Sequence, residues 1–169
     1  MASVSARLPL SAEEAWALVT DVRNHARWVP LTRLDVAPAA GSPTTGPGAG
    51  TGLALGDTFT AVSGPGAGRG WPGLPDRMTL EHLTPPDSAT GTPGRAVYRK
   101  RGPVLLGTAG VHVEPEDPSS CTVVWTEDVH LRGLPRGLTA PVLRPVLALM
   151  LRVVMRRLRA EVNARADRS

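Results

Sequence analysis

Residues 4–30 read VSARLPLSAEEAWALVTDVRNHARWVP. Val4, Ala6 and Leu8 alternate with Ser5 and Arg7, so Ser3 to Leu8 suits a first strand with one buried side. Pro9 ends that strand, because it has no amide proton to continue a ladder. Ser11 followed by Glu14 is a capping box: hydroxyl and carboxylate satisfy the free amides at the start of a helix reaching about Val19. Ala15, Leu18 and Val19 form its buried stripe. Asp21 caps a second short helix through about Trp28, and Pro30 turns the chain away. The chain thus opens as a strand followed at once by two abutting helices.

Working outward, six further extended segments follow: Leu31–Val36, Leu55–Val62, Arg77–Leu83, Arg95–Arg101, Val104–Val113 and Cys121–Leu131. With the first they make seven, and one curved antiparallel sheet in an α+β chain collects them. The intervals Ala37–Gly52, Gly64–Pro75 and Pro85–Gly94 are rich in Gly, Pro, Ser and Thr and read as mobile surface loops. None is long enough to separate independent cores, so residues 1–169 are expected to form a single domain. The chain closes on a long helix over 139–165, rich in Val, Leu and Met. Arg144 and Arg152 interrupt its apolar stretch, which is expected to fall short of the roughly 20 residues of a membrane span and to be buried by the sheet instead.

A chain of 169 residues buries enough apolar surface to fold without metal, cofactor or disulfide. Cys121 is the single cysteine and no basic-then-apolar leader precedes the first strand, which together read as a cytoplasmic protein. Lys100 is the only lysine, and the formal charge of +4 is concentrated near the C-terminus.

The order strand, two short helices, six strands, long helix resembles the START and birch-pollen-allergen-like superfamily (SRPBCC), also labelled the polyketide cyclase/dehydrase and lipid-transport family. The segments that carry the resemblance are Val4–Trp16, Val19–Pro30 and the arginine-rich terminal helix. It implies a helix-grip fold, with a ligand cavity between sheet and terminal helix. Trp16, Asp21, His25 and Trp28 match the family's helix-pair positions and suit anchoring of that corner, with two indoles wedged against sheet and helix. Members include carriers, receptors and aromatase/cyclases, and the fold alone does not choose among them.

Alternation supplies the candidate residues. Val123, Trp125, Glu127, Val129 and Leu131 form the inner set of the last strand, which places Glu127 among apolar neighbours. There it is either a ligand tether or general acid/base with a raised pKa, or a rim glutamate paired with an arginine. Met78, Leu80 and His82 share an inner face, with His82 near its strand end, where histidines are commonly solvated. Tyr98 and His112 lie in strands that alternate poorly, and either can hydrogen-bond a ligand. His25, His82, His112 and His130 lack metal-ligand spacing, so no metal is expected. The Gly64–Gly68 run lacks the lysine and helix of a phosphate loop, and no nucleophile elbow is present.

The expected function is binding of a hydrophobic or polycyclic small molecule, for carriage or sequestration. Its expected lining is Val4, Phe59, Met78, Leu80, Tyr98, Trp125, Glu127, Leu147, Met150 and Val154. Two alternatives stand beside it: a cyclase/dehydrase on a polyketide-like substrate with Glu127 and His82 or Tyr98 moving protons, and an interaction domain with a filled interior. Arg152, Arg156, Arg157, Arg159 and Arg165 make either a solvated face or a surface for an acidic carrier protein or an anionic membrane. Few aromatics argue against a nucleic-acid stacking platform.

Overall fold

The computed structural model describes residues 1–29, 32–37, 53–64 and 67–166. Leu31 and the loop read beyond Ala37 lie outside them. The elements run β1 (Ala2–Leu8), α1 (Ala12–Thr20), α2 (Val22–Trp28), β2 (Thr32–Ala37), β3 (Thr58–Ser63), a 3-10 turn (Ala67–Arg69), β4 (Leu74–Thr84), β5 (Gly94–Pro103), β6 (Leu105–Asp117), β7 (Ser120–Leu131) and α3 (Arg136–Ala166).

The capping box forms as its residue types dictate: Glu14 N donates to Ser11 Oγ at 3.2 Å, and Ser11 N donates to Glu14 Oε2 at 3.0 Å. Asp21 Oδ1 accepts from Arg23 N at 3.0 Å to start α2. The two helices carry the chain from one sheet edge to the other. The strand order β1-β7-β6-β5-β4-β3-β2 is a meander returning from β2 to pair β7 with β1, all antiparallel. At Gly107, β6 passes β7 so closely that a Cβ would lie 2.0 Å from the Asp128 carbonyl oxygen, at a φ of +132° that favours glycine.

Three expectations need correction. In β4, Leu80 pairs with Tyr98 but His82 pairs with Val97, a bulge that inserts one residue and reverses the alternation. His82 therefore turns outward, and Leu83 packs against the core instead. Pro85–Gly94 is tied down rather than free: Asp87 and Thr92 bridge, and Ser88 N and Oγ both donate to the Glu13 carboxylate at 2.8 Å. The terminal helix begins at Arg136 and takes in both Pro141 and Pro145.

Helix α3 packs on β1 and β7 through Leu151, Val154, Met155, Leu158 and Val162, a stripe of the 3.6-residue period. Glu161 fixes its roll, accepting from Trp28 Nε1 at 2.8 Å and from Arg165 at 2.6 Å while pairing with Arg27. Its first half departs from the expected burial: Leu138, Val142, Val146 and Leu149 are exposed. By length and composition alone Arg136–Arg165 is apolar enough to cross a membrane, Arg144 and Arg152 notwithstanding. In this fold its second half is held by the sheet.

Candidate ligand cavity

Because α3 packs along β1 and β7, a cavity of about 80 Å³ is left over the inner face of the sheet from β2 to β7. His25 and Val29 of α2 close one side and Met150, Leu151 and Val154 of α3 another. The sheet contributes Leu34, Phe59, Ala61, Asp76, Met78, Tyr98, Lys100, Ala109, Trp125 and Glu127 to the wall.

Of the expected lining residues, Phe59, Met78, Tyr98, Trp125, Glu127, Met150 and Val154 stand on this wall, and Val4, Leu80 and Leu147 do not. Val4 lies on β1 beside Trp125, packed against the core. Leu80 lies two residues beyond Met78 along β4, in the core cluster, and Leu147 packs at the margin of that core. The bulge removes His82 from the site altogether, and it exchanges a hydrogen bond with Thr84 at 3.0 Å on the surface. His112, half-buried, also lies off the wall, its pKa lowered first by burial and then by the Arg95 charge.

The chemistry of the cavity centres on a lysine between two carboxylates. Lys100, Glu127 and Asp76 are 6%, 6% and 8% exposed. Lys100 Nζ pairs with Asp76 Oδ2 and lies 3.4 Å from Glu127 Oε2, within ion-pair range but without hydrogen-bond geometry. Glu127 is therefore a buried group paired with a lysine, not a rim glutamate paired with an arginine. Burial pushes the Glu127 pKa up, the Asp76 charge adds to that, and the Lys100 ammonium opposes it without winning. Burial also disfavours the Lys100 ammonium, but the two carboxylates outweigh it and raise its pKa. The cluster is thus an ammonium held by Asp76, with Glu127 a carboxyl whose burial favours keeping its proton.

Four of the buried polar atoms without a hydrogen-bond partner among the described residues belong to this wall: Asp76 Oδ1, Tyr98 OH, Trp125 Nε1 and Glu127 Oε2. Burial raises the Tyr98 pKa, so its hydroxyl keeps its proton and remains a donor. The registers Tyr98–Ala109 and Ala109–Glu127 set Tyr98 and Glu127 on one lateral row, about 10 Å apart at the backbone. They flank Ala109, the small residue that leaves the space between them. Phe59 meets the Tyr98 ring edge-on at 5.7 Å and fixes its plane.

His25 lies against the Trp125 ring at 5.0 Å. Burial lowers its pKa to about 4, and the Lys100 charge works the same way against the Val19 hydrogen bond and Asp21. The imidazole is neutral and donates from Nε2 to the Val19 carbonyl at 3.1 Å. Among the described residues, no group of three or more His, Cys, Asp or Glu is gathered to hold a metal ion.

Asp76, Lys100 and His25 are members of the site that reading for ligand contacts did not find. A signal existed for Lys100: Ala96, Tyr98 and Lys100 alternate against Arg95, Arg99 and Arg101. Asp76 continues the Met78 and Leu80 face by one more step of two, hidden at the end of a Gly/Pro-rich interval.

A family model described as polyketide cyclase / dehydrase and lipid transport matches residues 1–163. No curated protein matches. Among solved structures, a START superfamily protein from Mycobacterium smegmatis is 13% identical at a TM-score of 0.65, with 96% of each chain covered. The Zhui aromatase/cyclase from Streptomyces sp. R1128 is 15% identical at a TM-score of 0.57, covering 97% of this chain and 93% of that one. The di-domain ARO/CYC BexL from the BE-7585A biosynthetic pathway is 16% identical at 0.59, with 96% of this chain matching 46% of its own. At these identities the likeness shows the fold.

Proposed function

The chain belongs to the polyketide cyclase / dehydrase and lipid transport family, and within it we propose that the cavity binds a small, mainly apolar molecule carrying a polar head with both donor and acceptor groups. The observation that carries this reading is the convergence on one apolar wall of four buried polar atoms that make no hydrogen bond, Glu127 Oε2 alone among them having the Lys100 charge beside it. Leaving such groups buried and unsatisfied costs about 1–3 kcal/mol each, and a ligand head that bonds them recovers that free energy. Tyr98 OH and Trp125 Nε1 supply donors, and Asp76 Oδ1 supplies an acceptor. Glu127 serves as either, according to its proton. A phenolic or hydroxy-ketone head has the matching chemistry. Phe59, Met78 and Val154 take the apolar body of the ligand.

Volume sets the size. A cavity of about 80 Å³ holds a small head or a few waters, whereas sites for drug-sized ligands run to roughly 300–1,000 Å³. A polycyclic ligand therefore requires Met150 to swing aside. Met150 is half-buried at the α3 margin, and its unbranched side chain has the rotamer freedom for that movement.

A cyclase or dehydrase is the second reading, and the placement of Glu127, Lys100 and Tyr98 on one cavity favours it. In that reading the ionised Glu127 removes a proton beside a carbonyl. Lys100 or Tyr98 donates a hydrogen bond to the enolate oxygen that forms. His82 has no role in it. The test is native mass spectrometry of fresh protein followed by denaturing extraction, then assay of the extracted class with wild type and Glu127→Gln. A one-to-one aromatic or hydroxy-ketone passenger supports binding, and turnover lost in Glu127→Gln with binding retained establishes the enzyme. Protein that carries and binds no such molecule refutes both.

A further inference from the structure

We infer that the solvent face of α3 docks on an anionic lipid bilayer. Leu138, Val142, Val146 and Leu149 are between 61% and 71% exposed. At about 100° per residue they share a sector roughly 80° wide, so they form one aliphatic stripe rather than scattered surface residues. Leu134, just before the helix, is exposed as well. A contiguous apolar stripe of this kind on a water-facing helix marks a contact surface.

Its surroundings choose the partner. Farther along the helix, Arg156 falls at the edge of that sector and Arg152 about 40° outside it, both exposed, while Arg132 and Arg136 precede the stripe. α3 carries seven arginines against Glu161 alone, a formal +6, so the remainder of the chain is net −2 within the total of +4. Glu161 is itself engaged by Arg27, Trp28 and Arg165 and does not reduce the charge of the outer face. Arg136 is partnered by Asp128 at 2.9 Å. For Arg152 and Arg156 no acidic partner lies among the described residues.

Arginine at both ends sets the surface against a second copy of this chain, because pairing two stripes across a twofold axis brings arginines against arginines in either orientation. A folded protein partner is also a poor match, since the stripe has none of the aromatic anchors that dominate such interfaces. A bilayer with anionic headgroups satisfies both halves of the face: aliphatic side chains enter the headgroup boundary, and arginines reach back to the phosphates. This face is independent of the cavity, although Met150 of the cavity wall adjoins Leu149 on the same helix.

Co-sedimentation with vesicles of phosphatidylcholine alone, and of phosphatidylcholine mixed with phosphatidylglycerol, tests it, together with light scattering for oligomeric state. Wild type is expected to bind the mixed vesicles, to ignore the neutral ones and to be released by salt. The double variant Val142→Asp/Val146→Asp is expected to bind at least about tenfold more weakly. Both positions are exposed, so its melting temperature should match the wild type's. Arg152→Gln/Arg156→Gln is expected to weaken binding and flatten the salt dependence. Failure to bind mixed vesicles, equal binding by wild type and the aspartate variant, or a wild-type dimer that the aspartates dissociate would each overturn the inference.

Discussion

Lys100 shows how one residue decides the character of an interior. With it, Asp76 has a direct partner and Glu127 a nearby cation; without it, two buried carboxylates share one wall with no cation between them. Lys100→Met is therefore expected to destabilise the protein by about 3–5 kcal/mol in urea unfolding, with Asp76→Leu restoring some of the loss in the double variant. His25 makes a pH statement of known sign. Its folded pKa of about 4 lies below the ordinary 6.5, so between those values the unfolded chain holds more protons. Its contribution is complete above about pH 6.5 and is lost as the pH falls toward 4, a difference of about 3 kcal/mol. Stability measured from pH 7 to 4 should fall less steeply in His25→Gln than in the wild type. An unchanged slope would show that the imidazole does not carry the effect.

At the scale of elements, the long helix depends on a few well-placed contacts. Glu161 joins α3 to α2 through Arg27 and Trp28, so Glu161→Ala is expected to cost about 1–2 kcal/mol and to lower the melting temperature, even though the site is only partly buried. Most elements were legible in the sequence because each has a local cause: the Ser11–Glu14 box, the Asp21 cap and the period-two strands. The phase of β4 past Leu80 was not, because a bulge follows from how two strands fit rather than from either strand alone, and it moved His82 from the inner face to the surface. Helix α3 was legible as a helix but not in its burial. Apolar composition does not say how far a sheet reaches, and this sheet leaves Leu138, Val142, Val146 and Leu149 uncovered. Glu127 was legible by alternation, whereas its lysine partner depended on the register β5–β6–β7.

For the whole molecule, topology makes the cavity. The β1–β7 closure draws α3 to one side of the curved sheet, and the far side is closed by α2, leaving space above Tyr98, Ala109 and Glu127. Ala109 holds that space open, so Ala109→Leu fills it. The most direct measurement is a tryptophan-fluorescence titration of wild type and Ala109→Leu with a panel of phenolic and hydroxy-ketone aromatics, since Trp125 stands on the cavity wall. Binding in the cavity predicts a saturable one-to-one change for at least one compound in the wild type and none in Ala109→Leu. A panel without any saturable change, or the same response from both proteins, would contradict it.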